Sequence, residues 1–346
     1  MKVAVLFGGK SGEHTVSCIS AASVLSAIRT EKYDILKIGI TREGEWFLTE
    51  ASLEEIRSGA WENLSNKKAI LSPDTAHKGF LVWEEDGIKT LPVDVIFPVM
   101  HGDYCEDGCL QGLCELAGIP YVGCGVCASS VGMDKEMAKT VFAAVGIPVA
   151  KGITVEKKDR AIVKEKVQEL FSYPVFIKPA NAGSSLGASK VIAQEELEDA
   201  LEEAFRYDSK VLIEEYIEAR EIECAVLGND APEASVLGEI VPSADFYDYD
   251  AKYVDGTSKL LIPAPLSEEE TRQIREYAVR AFQSVGAKGL SRVDFFKDKN
   301  TGRVVINEIN TLPGFTDISM YPKLWQASGL SYSDLIDRLI AFAVRT

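Results

Sequence analysis

The chain has 346 residues, 46% of them apolar, which is enough for two or three packed domains. A formal net charge of −16, with lysine and arginine scattered along the chain, argues against a nucleic-acid partner, because phosphate-backbone binding needs concentrated positive charge. No apolar run approaches the roughly 18 to 20 residues of a membrane span, and "MKVAVLFGG" reads as strand and turn without a cleavable signal ending, so a cytoplasmic protein without membrane contact, acting on small molecules, is expected.

The run "KVAVLFGG" predicts a strand ending in a glycine turn, followed by an amphipathic stretch to Ile28 and a second strand, "DILKIGIT". Strand, glycine turn, helix, strand is the order of a βαβ unit with parallel pairing, and ligands meet such sheets at the strand C-termini. The loop "GGKSGEH" is therefore placed to touch a ligand, although it is not a G-x-G-x-x-G fingerprint. The segment "VDVIFPVMHGDYCEDG" repeats the pattern and puts His101 in a second strand-end loop. "LQGLCELAG" then reads as a short helix stopped by Gly118 and Pro120.

Seven cysteines, an odd number, read as reduced thiols. Cys124 and Cys127 form a C-x-x-C, but a zinc or redox role is not expected, because no helix start is read after Cys124. Cys109 and Cys114 fall within a helical pattern with Leu110, Leu113 and Ala117. A His101–Cys105 nucleophile pair is disfavoured as well, since four residues of loop define no geometry.

From about residue 120 the pattern changes. "MDKEMAKTVFAAVGIPV" predicts a helix capped by Asp134, "YPVFIKP" a strand, "EELEDALEEAFRYD" an acidic helix, and "KVLIEEYI" and "REIECAVLG" further strands. Strand pairs outnumber crossovers here, so this part reads as α+β with antiparallel sheets, distinct from the first. Lys178 ends the strand "YPVFIK" and enters the loop "KPANAGSSLGASK", rich in glycine, serine and backbone donors.

The runs "SRVDFF" and "RVVINEINTLPG", joined by "KDKNTG", predict a hairpin. Strand alternation puts Arg292 and Asp294 on one face, with Ile306, Glu308 and Asn310 on the facing strand. Asp294, Glu308 and Asn310 then offer three oxygen donors without histidine or cysteine, a set that suits Mg²⁺ bound jointly with substrate phosphates. A solvated polar face is the alternative, but Val293, Phe295, Asn307 and Ile309 do not give the clean apolar opposite face it requires. Acidic ligands with an upstream lysine and a Gly/Ser loop describe a nucleoside triphosphate site, yet the P-loop and kinase signatures are absent.

The ordered motifs "GGKSGEHTVS", "HGDYCEDGCLQG", "MDK", "FIKPANAGSSLG", "VLIEEYI", "FYDYDAKY", "GLSRVDFF" and "NEINTLPGFTDISMYP" resemble the D-alanine–D-alanine ligase family of the ATP-grasp superfamily over essentially the whole chain. The resemblance implies an α/β, three-domain ATP-grasp ligase: an N-terminal parallel-sheet (pre-ATP-grasp) domain at 1–122, a central subdomain at 123–216 and a C-terminal subdomain at 217–346. It implies ATP-dependent joining of two D-alanine molecules through a D-alanyl phosphate, for peptidoglycan precursor synthesis, with Mg²⁺ (two ions, Mn²⁺ as substitute) and a homodimer. Carried over by position, it implies ATP contacts from Lys135, Lys178, Ser185 and Lys252, an adenine-amino contact from Glu214 and a ribose contact from Glu221. Asp294, Glu308 and Asn310 match the metal ligands, agreeing with the hairpin.

On the substrate side the resemblance implies that Glu13 and His101 surround the first D-alanine and that Ser184 and Tyr253 tie two loops over the closed site. It also implies that Arg292 and the Gly314 N–H meet the oxyanion, and that Ser319 contacts the second carboxylate. The family's more usual "EHEVS" is "EHTVS" here, which puts any secondary contact from Thr15 in doubt. Tyr253 stands where D-lactate ligases carry histidine. Met320 stands where D-serine ligases carry arginine, which favours D-alanine at the second site and leaves a D-alanine–D-serine ligase as the alternative.

Overall fold

The computed structural model describes residues 1–183, 186–241 and 259–345. The first sheet has seven strands: β1 (Lys2–Gly8), β2 (Asp34–Ile40), β3 (Trp46–Leu48), β4 (Lys67–Leu71), β5 (Gly79–Glu84), β6 (Gly87–Pro92) and β7 (Val95–Pro98). Their order is β6-β5-β4-β3-β2-β1-β7, with β1 parallel to both β2 and β7 as the βαβ pattern predicts. The other four strands extend the sheet antiparallel, so it is mixed. The helix His14–Ala27 crosses from β1 to β2 and is buried on most of its surface.

The second sheet, antiparallel throughout, holds β8 (Gly152–Glu156), β9 (Val175–Pro179), β10 (Ser189–Val191) and β11 (Lys210–Glu215) in the order β10-β9-β11-β8. The third holds β12 (Ala219–Gly228), β13 (Glu233–Val241), β14 (Lys259–Leu261), β15 (Gly289–Asp298) and β16 (Val304–Asn310) in the order β14-β13-β12-β15-β16. These are the antiparallel pairings expected after residue 120.

Two cores lock the third sheet to its surroundings. One joins Val3, Val5 and Phe7 of β1 to Leu227 and Leu290 and to the C-terminal helices Met320–Ala327 and Tyr332–Ala343 through Tyr321, Leu324 and Leu339. The other seats the helices Val126–Met133 and Lys135–Ala144 against the third sheet, where Phe142 packs with Val293, Phe295 and Ile306. Asp134 caps the second of these helices, accepting from the N–H groups of Glu136 and Met137 at 3.1 Å each, as its place in the sequence predicts.

A helix does begin just after Cys124, at Val126, contrary to the sequence reading. All seven cysteines are nevertheless free thiols. Burial pushes Cys124 up to about 12, which is opposite to the depressed pKa of a redox-active or metal-binding thiol.

Candidate active site

The three sheets converge on a cavity of about 640 Å³. The N-terminal loops contribute Glu13 and His101, and the second sheet contributes Lys178 and Glu214, with Lys135 from a neighbouring helix. Glu221, Arg292, Glu308 and Asn310 enter from the third sheet, and Gly314, Ser319 and Met320 from the segment after it. Asp294 does not line the wall and sits 2% exposed behind it. Ser184, Ser185, Lys252 and Tyr253 lie outside the described residues.

Both strand-end loops of the first sheet are held by short polar bridges. Ser17 Oγ accepts from Gly8 N at 2.8 Å and donates to the Val99 carbonyl at 2.5 Å, while Ser11 Oγ donates to the His101 carbonyl at 2.6 Å. Gly8 takes φ +85°, and a Cβ there would lie 2.1 Å from the Ile40 carbonyl oxygen, so only glycine fits. These bridges fix the relation of Glu13 to His101.

His101 is buried, with Nε2 3.2 Å from Ser20 Oγ and Nδ1 3.2 Å from the Leu312 carbonyl. Burial opposes its charged form, but hydrogen bonding and charge from Glu106, together with Glu13, outweigh it and raise its pKa. It therefore ties the N-terminal loops to the segment after β16 as well as facing the cavity. Glu106, which the sequence reading did not single out, lines the same wall 3.8 Å from His101.

The two lysines sit in different settings. Lys135 Nζ donates to the Ala182 carbonyl at 2.7 Å and lies 3.6 Å from Glu308 Oε2. Lys178 Nζ is 3.1 Å from Glu214 Oε2 and donates to Asn307 Oδ1 at 3.0 Å. Lys139, also missed from sequence, contacts the other oxygen of Glu214. Burial alone would raise Glu214, but the two flanking ammonium groups bring it down to about 2, so it is an ionised acceptor.

The predicted hairpin forms, with Arg292 opposite Asn310 and Asp294 opposite Glu308. A bulge then intervenes: Phe295 faces Ile306, and Asn307 is the extra residue. Strict alternation places Ile306 on the Glu308 face, whereas it is fully buried in the core and Asn307 turns to the cavity and Lys178. The opposite face is therefore apolar after all, made of Val293, Phe295, Ile306 and Ile309. Shared alternation failed because one strand carries an additional residue.

Within this hairpin Asn310 Nδ2 donates to Asp294 Oδ2 at 2.9 Å, which leaves its carbonyl oxygen for another partner. Arg292 Nε lies 3.1 Å from Glu223 Oε2, and burial, which opposes its charge, is outweighed by Asp294 and Glu223, so its pKa is raised. No group of three histidine, cysteine, aspartate or glutamate side chains suited to a metal occurs among the described residues. The donor set of two carboxylates and an amide is oxygen-only, and it fits a hard cation that completes its shell with phosphate oxygens and water.

The segment after β16 is a tight turn built on Ser319, whose Oγ accepts from Thr316 N at 3.0 Å and is 2.7 Å from Thr316 Oγ1. A Cβ on Gly314 would fall 2.8 Å from that Oγ, so glycine lets the two approach. Met320 is 4% exposed and closes the cavity beside Leu324 and Gly238.

The chain matches the family models described as "D-ala D-ala ligase N-terminus" over residues 2–124 and "D-ala D-ala ligase C-terminus" over residues 141–341. The D-alanine–D-alanine ligase of Acetivibrio thermocellus is 52% identical over 99% of this chain and 96% of its own length, and that of Thermoanaerobacter sp. is 50% identical over 100% and 97%. Among solved structures, the VanG D-Ala:D-Ser ligase from Enterococcus faecalis aligns with a TM-score of 0.92 at 42% identity over 99% of both chains. The D-alanine–D-alanine ligase from Coxiella burnetii aligns with 0.86 at 37% over 100% of this chain and 95% of its own. With both terminal family models matched and half of all residues identical to full-length relatives, the chain belongs to the D-alanine–D-alanine ligase family.

Proposed function

We propose that the protein joins two D-alanine molecules to D-alanyl-D-alanine with cleavage of ATP to ADP and phosphate, supplying peptidoglycan precursor synthesis. The observation that carries this reading is a cavity in which an acidic pair, Glu13 and Glu106 around His101, faces two lysines and the oxygen-rich hairpin. The first group suits an amino acid's ammonium, and the second suits a triphosphate with its cation.

In this reading the first D-alanine places its ammonium against Glu13, and its carboxylate oxygen attacks the γ-phosphorus as the bond to the β-phosphate oxygen breaks. Lys135 and Lys178 neutralise the transferring group. Glu308, Asn310 and Asp294 would hold Mg²⁺, which supplies further neutralisation of phosphate charge when bound; two ions, with Mn²⁺ as substitute, are part of the proposal. The amine of the second D-alanine, its carboxylate at Ser319, then attacks the acyl carbon, and phosphate leaves with the original carboxyl oxygen. Arg292 and the Gly314 N–H meet the oxyanion. Closure by Ser184 and Tyr253, ATP contacts from Ser185 and Lys252, domain limits at 122 and 216, and a homodimer belong to the same reading.

A D-alanine–D-serine ligase is the second reading, favoured by the 0.92 TM-score to a D-Ala:D-Ser ligase. Met320 argues for D-alanine, because a thioether offers an apolar wall and no donor for a serine hydroxyl. A coupled ADP-release assay with product identification across D-alanine, D-serine and D-lactate tests this. Mostly D-alanyl-D-alanine at equal concentrations is expected, and mostly D-alanyl-D-serine would transfer the protein to the second reading.

A further inference from the structure

Glu214 lies between two ammonium groups, and only one of them reaches the cavity. Lys178 lines it and spans Glu214 Oε2 and Asn307 Oδ1 at 3.1 and 3.0 Å. Lys139, four residues along the helix from Lys135, is 7% exposed, contacts Glu214 Oε1 and does not line the cavity wall. A buried carboxylate needs a compensating charge. Were Lys178 its sole cation, an incoming triphosphate would compete for that lysine, and Glu214 would be left to take up a proton.

A protonated carboxyl donates as well as accepts, so it no longer distinguishes a base that presents an amino group from one that does not. Lys139, out of reach of the ligand, is not subject to that competition. Burial, opposed by Glu214 and reinforced by Lys178, brings Lys139 to about 8, so it stays charged at neutral pH.

We propose that Lys139 is a positioning residue for nucleotide selection, holding Glu214 ionised and in place as an acceptor for the exocyclic amino group of adenine while Lys178 turns to phosphate. The proposal rests on the reading of Glu214 as the base contact. It makes the selectivity of the nucleotide pocket depend on a side chain that touches no substrate.

The test is the ratio of kcat/KM for ATP to that for purine riboside triphosphate, which lacks the 6-amino group, in wild type, Glu214→Gln, Lys139→Met and the double variant. Lys139→Met is expected to lower the preference for ATP by about tenfold or more, toward that of Glu214→Gln, without changing the KM for D-alanine. The double variant is expected to show no further loss, as follows if Lys139 acts through Glu214. A wild-type preference in Lys139→Met, alongside a lost preference in Glu214→Gln, would overturn the proposal and leave the base contact standing. A wild-type preference in Glu214→Gln would overturn the base contact itself. Should Lys139→Met not fold, Lys139→Gln, which keeps a donor and removes only the charge, carries the same test with the same outcomes.

Discussion

Arg292 grips Asp294 through two parallel hydrogen bonds, Nε to Oδ1 at 2.8 Å and Nη2 to Oδ2 at 2.7 Å. The guanidinium is thereby aimed at the cavity by a carboxylate set just behind its wall, and Asn310 is held by the same carboxylate. Oxyanion contact and cation binding share one support. Asp294→Asn and Glu308→Gln are each expected to lower turnover by at least about 10², with the circular dichroism spectrum retained, because ligand charge serves phosphoryl transfer rather than packing. Asp294→Ala is expected to cost about 3 kcal/mol in addition, since it leaves the half-buried Arg292 guanidinium with Glu223 as its remaining carboxylate partner. Normal turnover of Asp294→Asn at limiting Mg²⁺ would remove the hairpin from the chemistry.

Gly183 stands against Glu13. A Cβ there would lie 3.1 Å from Glu13 Oε2, tight enough that the carboxylate must give by a few tenths of an ångström. Gly183→Ala is expected to displace the carboxylate and raise the KM for D-alanine by about tenfold, since sub-ångström misplacement of a positioning group is costly. The KM for ATP should move much less, and initial rates under separate titration of the two substrates would show it.

Glu214 gives the protein a pH signature. Burial opposes its charge, but Lys139 and Lys178 outweigh that and bring its carboxyl down to about 2, while burial brings the Lys139 ammonium down to about 8. A carboxylate whose folded pKa is depressed contributes stability that is full above its unfolded value and lost as pH falls through the folded one. For Glu214 that window runs from about 4.5 down to about 2. Thermal melts of wild type and Glu214→Gln should therefore differ most at neutral pH and converge as pH falls through this window. A constant gap would mean that Glu214 is not ionised in the folded protein.

Met320 is packed tightly enough that a Cβ on Gly238 would come within 2.9 Å of its Sδ. Met320→Arg is expected to shift the product ratio toward D-alanyl-D-serine by supplying a donor, at some cost in stability from crowding at Gly238. Wild type should still form measurable D-alanyl-D-serine, because apolar pockets reject a near-isostere by only about 10². The ratio of the two dipeptides, resolved chromatographically, is the readout.

Much of this site is legible in the sequence where it depends on local pattern. The Asp134 cap and the pairing of Asp294 with Glu308 follow from residue type, alternation and a short turn. Asn307 was lost because a bulge adds a residue without altering the apolar pattern around it. The strands from Trp46 to Pro92 went unread, although β5 and β6 are joined at Glu85 and Asp86 just ahead of Gly87, a turn signal that could have marked them. Lys139 had no local signal at all, since its partner lies 75 residues away and only the packing of its helix brings the two together.

The most direct test of the account follows the oxygen atoms. With D-alanine labelled by ¹⁸O in its carboxylate, activation of that carboxylate by the γ-phosphoryl group requires one labelled oxygen to leave with phosphate for each dipeptide formed. Mass analysis of the released phosphate is expected to show one ¹⁸O per D-alanyl-D-alanine, dependent on both substrates. Unlabelled phosphate accompanying dipeptide formation would contradict carboxylate activation in this cavity and the function proposed for it.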